Sequence, residues 1–155
     1  MLTAWVIVQA VSFNNIGKLR VSGDKVVTYA LPFSLDGINS VVLHVVPAIG
    51  TLNKPFNVAG TKYVAEHPVP RNAPDEVKLQ VTYRMWAYLM AHHVIRGWQY
   101  VIDDDGKTVE STVANVEELL LRIAEDAADV FDGLMRFVTT VDNFRVPDAE
   151  GIAKN

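Results

Sequence analysis

The chain has 155 residues, of which 50% are hydrophobic and 21% are charged, and its formal net charge at pH 7 is −4. This length supports one domain with a real core, and the composition excludes wholesale disorder. A negative chain with scattered basic residues also excludes the clustered positive surface of a nucleic-acid binder. The absence of cysteine excludes disulfides, thiolate metal sites and a cysteine nucleophile. We expect a single domain over residues 1–147, followed by a frayed tail over residues 148–155.

An apolar segment, residues 2–11, opens the chain. No basic residue precedes it and it is too short to cross a bilayer, so we expect a soluble, intracellular protein. Its apolar side chains alternate onto both faces of an extended strand, at Trp5, Val6, Ile7, Val8, Val11 and Phe13. Such a strand is ordinarily central in the protein's own sheet, with both faces covered. The alternative is a strand that adds to the sheet of a partner.

The N-terminal third continues with strand-like segments at residues 18–21 and 25–33. Asp36 and Gly37 then stand between two segments that are rich in β-branched residues, 28–35 and 38–46. Asp-Gly between two such segments is the strongest short-range signal for a β-hairpin. The sequence therefore predicts an antiparallel N-terminal sheet.

Residues 50–73 contain several helix breakers and no sustained periodicity. Four of them, Pro55, Gly60, Pro68 and Pro70, are spread through the segment. We expect a long linker between the sheet and the helical half, with at most one short strand near residues 63–65.

The first predicted helix begins at Pro74, where a missing N–H is harmless, and Asp75 and Glu76 complement its N-terminus. Gly97 is the expected end, as a C′ glycine. The helix carries many apolar residues: Val77, Val81, Met85, Trp86, Tyr88, Leu89, Met90, Val94 and Ile95. That surface is wider than one stripe, so the helix either is central to the fold or is shared with a partner. Methionine repacks readily, which favours an adaptable groove in the second case.

A short hairpin and a second helix follow. Trp98, Tyr100 and Ile102 alternate with polar residues up to a turn at Asp105 and Gly106. The helix is predicted over residues 115–141, capped by Asn115. Its apolar stripe consists of Leu120, Ile123, Ala127, Val130, Leu134, Val138 and Val141, and Gly133 marks a bend or close packing. The sequence thus predicts an α+β fold: an antiparallel N-terminal β-sheet, two principal α-helices and a small β-hairpin between them.

No catalytic, cofactor or metal motif stands in the chain. His92 and His93 are adjacent, so on a helix their side chains point about 100° apart and do not share one metal ion. The acids at residues 103–105 lack the alternation and the twelfth-position glutamate of an EF-hand loop. The acidic residues of the second helix are expected on its solvent face. An enzyme site would have to be assembled from distant residues, such as His44, His67, His92 and nearby acids.

Several short motifs together resemble the tail assembly chaperones of long-tailed bacteriophages. They are the F-S-L-D-G hairpin at residues 33–37, the helix with Trp86, the G-W at residues 97–98, the D-D-D-G turn at residues 103–106, the segment 112–120 and the end of the acidic helix at residues 137–145. The resemblance implies a non-enzymatic protein that binds the tape-measure protein during tail assembly, self-associates and acts in the host cytoplasm.

The residues expected to contact a partner are Trp5, Ile7, Met85, Trp86, Leu89, Met90 and Trp98. A structural virion component, such as a neck, tail-terminator or head-decoration subunit that assembles through its N-terminal strand, is the second hypothesis. A small enzyme or ligand-binding domain is the third. Nucleic acid and membrane are not expected partners, and no cofactor is expected.

Overall fold

The computed structural model describes residue 13 and residues 21–146. In chain order the elements are β1 (Val27–Ser34), β2 (Ser40–Val45), α1 (Lys54–Glu66), α2 (Asp75–His93), β3 (Ile95–Gln99), α3 (Val113–Asp126), α4 (Ala128–Val138) and a 3-10 helix at Val141–Phe144. The strands form an antiparallel sheet in the order β1-β2-β3, so the predicted α+β class is confirmed. The predicted strand at residues 2–11, the first three residues of the one predicted at 18–21 and the tail at 148–155 lie outside the described residues; Val21 itself makes an isolated bridge with Arg145.

The predicted Asp-Gly hairpin joins β1 to β2. Gly37 has a φ of +80°, a conformation that glycine adopts without strain. The Oδ1 atom of Asp36 accepts the backbone N–H groups of Asn39 at 2.7 Å and Ile38 at 2.8 Å. These two hydrogen bonds, chiefly that from Asn39, lower the pKa of the Asp36 carboxyl to about 2. The turn is therefore held by a carboxylate that stays charged well into acid.

The core lies between one face of the sheet and the helices α2, α3 and α4. β2 alternates exposed and buried residues, as a half-buried strand does. The largest fully buried side chains are Leu31, Val41, Leu43, Val45, Val46, Met90, Val94, Leu120, Phe131, Leu134, Val138 and Phe144. The ring of Phe131 packs edge-on against Tyr83 of α2, with a centroid distance of 5.1 Å. We call this part of the molecule, namely the sheet, α3, α4 and the C-terminal half of α2, the body.

The prediction of a linker over residues 50–73 was wrong, because residues 54–66 form α1. Asn53 caps this helix: its Oδ1 accepts the N–H of Phe56 at 3.1 Å. Pro55 lies in the first turn, where proline is tolerated, so it helps to start the helix and does not break it. Gly60 lies mid-helix with Leu89 of α2 beside it. No strand forms at residues 63–65, since they belong to the same helix.

The prediction that Gly97 ends the first long helix was also wrong. α2 ends at His93, and Gly97 lies within β3. Val94 and Ile95 leave the helix as buried side chains, and Ile95 begins a strand that pairs with β2. The predicted strand at residues 98–102 therefore begins earlier and joins the main sheet. The predicted small hairpin forms without regular strands: Ile102 and Thr108 make an isolated bridge, and backbone N–H groups of Asp103 and Val109 donate to the carbonyls of Lys107 at 2.8 Å and Val101 at 2.9 Å.

The second predicted helix is two helices. Ala127, with φ −145° and ψ 63°, separates α3 from α4. The cap is Thr112, whose side chain accepts the N–H of Asn115 at 3.2 Å, so the predicted cap at Asn115 was wrong. Gly133 marks close packing and not the bend, because a Cβ atom there would lie 3.3 Å from the hydroxyl of Tyr29. Val141 lies beyond α4, at the start of the 3-10 helix, and is exposed.

Candidate partner-binding surfaces

The residues predicted to contact a partner do not form one patch. Trp5 and Ile7 lie outside the described residues. Leu89 and Met90 are 2% and 0% exposed, so in this fold they pack within the chain itself. The partly exposed members are Met85, Trp86 and Trp98; Met85 lines a groove between α1 and α2, whereas Trp98 lines another groove beside α3. Whether any of them binds a partner remains a prediction.

α1 packs along α2, with Trp86 and Leu89 beside its first half and Val81 and Met85 beside its end, and we call residues 54–86 the helical hairpin. A stripe of residues at helical spacing on α1, including Phe56, Gly60 and Tyr63, faces α2. Phe56 packs on Trp86 with a ring-centroid distance of 5.7 Å. The ring of Trp86 is therefore partly covered by α1 of the same chain and partly exposed. None of the residues of α1 is buried. The hairpin is thus a thin layer whose outer side has no cover within the described part of the chain.

Large apolar side chains are exposed along this hairpin. Val64 on α1 is 60% exposed, and Val77 and Leu79 on α2 are 43% and 52% exposed. Residues 75–80 of α2 are all exposed, and Glu76, Leu79 and Gln80 line a separate groove of about 560 Å³ that α2 forms with α3 and the start of α4. Between α1 and α2 runs a groove of about 380 Å³, lined mainly by Val64, Pro68, Val69, Val81 and Met85. Met85 therefore lies where a partner's side chain can reach it.

A second, more polar cleft of about 460 Å³ lies between α1, α2 and α3. Its charged and aromatic lining consists of Lys62, Tyr63, Glu66, His67, Arg84, Tyr88 and Glu117. The rings of Tyr63 and His67 stack at 3.9 Å, and Tyr63 also contacts Tyr88 at 5.4 Å. Burial raises the pKa of the Tyr63 phenol, which therefore stays protonated at neutral pH and can donate a hydrogen bond.

The histidines that sequence reasoning named for an enzyme site are brought together only in part. His67 and His92 lie on the same seam between α1 and α2: Tyr63 stacks on His67 and contacts Tyr88, whose ring contacts His92. His44 lies on β2, opposite Gly97 of β3. Among residues 21–146, no group of three or more histidine, aspartate or glutamate side chains is placed to hold a metal ion.

His93 is the last residue of α2 and directly follows His92. Burial, followed by the charges of His92 and Arg96, lowers the pKa of the His93 imidazole. The ring is therefore neutral at pH 7. Its backbone carbonyl accepts a hydrogen bond from the side chain of Asn53 at 2.8 Å, which ties the end of α2 to the start of α1.

A third site, the acidic-rimmed groove, was missed from the sequence. It has a volume of about 530 Å³ and lies between the end of β1, residues 101–109 and one flank of α3. Its apolar lining consists of Phe33, Leu35, Trp98, Val101, Ile102, Val109, Leu119, Ile123 and Ala127. Its charged lining consists of Asp103, Asp104, Glu118, Asp126 and Arg122. These acids were predicted as a solvated turn and a solvated helix face, and only the fold places them around one apolar floor.

None of the helices in the described part of the chain is long and apolar enough to cross a membrane.

Comparisons with known proteins give one match. No curated protein and no solved structure matches the chain. A family model described as "YdaY prophage protein" matches residues 52–155, which is about two thirds of the chain. The matched range begins just before α1 and contains the helical hairpin and α3, whereas β1 and β2 precede it. The chain therefore belongs to the YdaY prophage protein family and is of phage origin.

Proposed function

We propose that this protein is a non-enzymatic tail assembly chaperone that binds the tape-measure protein of its phage during tail morphogenesis. The observation that supports this most is the apolar surface on the helical hairpin. The phage family and the resemblance to tail assembly chaperones give the proposal its biological setting.

The hairpin has the properties of a surface that another helix covers. Val64 lines the groove between α1 and α2, and Val77 is exposed one helical turn before Val81, which also lines it. Covering a fully exposed side chain of this type is worth about 1.5–3 kcal/mol. An amphipathic helix can bury several such side chains at once by laying its apolar face into the groove. A tape-measure protein, as a long helical chain, offers many such faces.

The charge of the molecule fits a chaperone that keeps an apolar client in solution. The net charge is −4, and exposed acids such as Glu118, Glu125 and Asp129 line α3 and α4. Such charge opposes aggregation of the complex. We propose that copies of the chain associate along the client in the host cytoplasm.

The test is co-expression of the tagged protein with the tape-measure protein of the same prophage. We expect the client to co-purify with the native protein. A variant with Val64→Asp and Val77→Asp, both at exposed positions, should fold and fail to retain the client. The matched control is Ile38→Asp with Val113→Asp, which places two charges on exposed apolar positions outside the hairpin. Failure of the native protein to retain the tape-measure chain would contradict the proposal.

The second candidate is a structural virion component. The observation that favours it is the sheet order: β1 and β3 are edge strands within the described residues, so a neighbour's strand has room to add. β1 is the less suitable edge for such an addition. Pro32 lacks an N–H to donate to a neighbouring strand, and the register shift between Ala30 and Ser34 interrupts regular pairing. Peptides of this chain in mass spectra of purified particles would favour the virion role, and their absence would favour the chaperone.

A further inference from the structure

We propose that the acidic-rimmed groove is a docking site for a protein segment that carries large apolar side chains flanked by lysine or arginine. The groove is separate from the helical hairpin, and its occupant does not depend on the tail assembly role.

The floor of the groove is apolar and held in place. The indole Nε1 of Trp98 donates to the carbonyl of Val109 at 2.8 Å, so the ring is fixed across residues 98–109. Leu35 stands at the end of β1 and is 41% exposed, while Val101 is 5% exposed. The volume of about 530 Å³ accommodates two or three large side chains. Binding is favoured when apolar groups of a partner displace water from this floor, because apolar surface is then removed from water.

The rim is negative. Four carboxylates line it, and the one cation in the lining, Arg122, is paired to Glu118 at 2.7 Å. Asp103 is fixed by accepting the N–H groups of Asp105 and Lys107, each at 2.9 Å. Asp126 is the last residue of α3, where a negative side chain opposes the helix dipole, so the helix gains nothing from that charge. The rim attracts ammonium and guanidinium groups and repels nucleic acid and other anions.

The helical hairpin of the same molecule cannot fill the groove. Asn115, Glu118 and Leu119 face the groove, whereas Glu117 and Leu121 face the cleft beside α2. The groove and α2 thus lie on different flanks of α3. Since α2 is packed on its own flank, the hairpin cannot fold over into the groove. Both surfaces can be occupied at once.

The test uses a fluorescein-labelled peptide of about four helical turns, with leucine on one face and lysine on the other, and a matched peptide with glutamate in place of lysine. Fluorescence anisotropy measures binding to the full chain. We expect the lysine peptide to bind and the glutamate peptide not to bind. Added salt should weaken binding, because the rim charges are exposed.

Two variants locate the binding. Asp104→Asn with Asp126→Asn removes two rim charges and should weaken binding about tenfold. Glu125→Gln with Asp129→Asn makes the same change in net charge at exposed positions that do not line the groove, and should leave binding within about twofold. Leu35→Ser should weaken binding without any change in charge. Circular dichroism and thermal melting show that each variant is folded.

Three outcomes would overturn the proposal. The first is equal binding of both peptides. The second is equal weakening by the groove pair and the control pair, which would make the attraction a property of net charge alone. The third is a concentration-dependent mass of the native protein without peptide that the groove pair abolishes, which would assign the groove to a second copy of this chain. Because the groove variants leave the helical hairpin intact, co-purification of the tape-measure protein tests the other surface separately.

Discussion

The body and the helical hairpin are stabilised to very different degrees by burial. In the body, Phe131, Leu134 and Val138 of α4 are completely buried. In α1 no residue is buried, and the helix is held by one cap, one aromatic stripe and the seam with α2. Most of the buried apolar surface that stabilises the fold therefore lies in the body, whereas the hairpin leaves apolar side chains exposed to solvent.

The largest effect is expected in the body. Phe131→Ala should lower the free energy of unfolding by about 3–5 kcal/mol, because it removes a fully buried ring and leaves a cavity. Urea denaturation monitored by circular dichroism measures the loss. A loss below about 1 kcal/mol would mean that the core around α4 is not packed as described.

The next effect concerns the root of the hairpin. Asn53→Ala removes the cap of α1 and the two hydrogen bonds from Nδ2 to the carbonyls of Pro47 and His93, at 3.0 and 2.8 Å. We expect a loss of about 2 kcal/mol and faster amide exchange across residues 54–66. Asn53→Asp is the control, since it keeps the capping acceptor and loses the two donors. If exchange in α1 were unchanged in both variants, the root would not hold the helix.

Acid should lower the stability of the protein through the imidazole of His93, the last residue of α2. The pKa of His93 is lowered in the folded state, so the unfolded chain binds more protons as the pH falls. Above the ordinary histidine pKa of about 6.5, the imidazole is neutral in both states and the folded protein loses no stability. As the pH falls below that value toward the lower pKa of the folded state, the unfolded chain binds the proton more readily, and the free energy of unfolding decreases. His93→Gln should therefore flatten the decline in thermal stability below pH 6.5. An unchanged decline would remove His93 as its cause.

The smallest effect is expected on the exposed side of the hairpin. Leu79→Gln and Val64→Thr should change the free energy of unfolding by no more than about 0.5 kcal/mol, because both side chains are largely in water already. Urea denaturation again measures the change. A large loss in either variant would mean that these residues are covered in the folded protein and are not a free surface.

The sequence was sufficient where a local pattern determines the structure. The β1–β2 turn follows from Asp36 and Gly37, and the start of α2 follows from Pro74 and the acids after it. α1 was missed because Pro55 and Gly60 were interpreted as breakers. In the fold Pro55 stands in the first turn, and Gly60 allows Leu89 to approach. Single-residue rules of this kind depend on position, which the sequence alone does not show.

The other errors have a tertiary cause. Nothing in the local sequence marks the break at Ala127, since no proline or glycine stands there; the break turns α4 so that Phe131 and Leu134 reach the core. Val94 and Ile95 fit a helix as well as a strand, and pairing with β2 decides for the strand. Of the surfaces, Met85 and Trp98 were predicted as contact residues and are accessible. The acidic-rimmed groove was not predictable, because it joins residues from β1 to α3 that are distant in sequence.

Asn53 is the only buried polar side chain within the described part of the chain, and it touches three segments: the exit of β2, the first turn of α1 and the last turn of α2. The hairpin is therefore not an appendage that can be trimmed from the molecule. If a few glycines replaced residues 53–73, the carbonyl oxygens of Pro47 and His93 would lose the side-chain amide that donates to them. Any minimal version of this protein has to retain that asparagine, or supply another amide in its place.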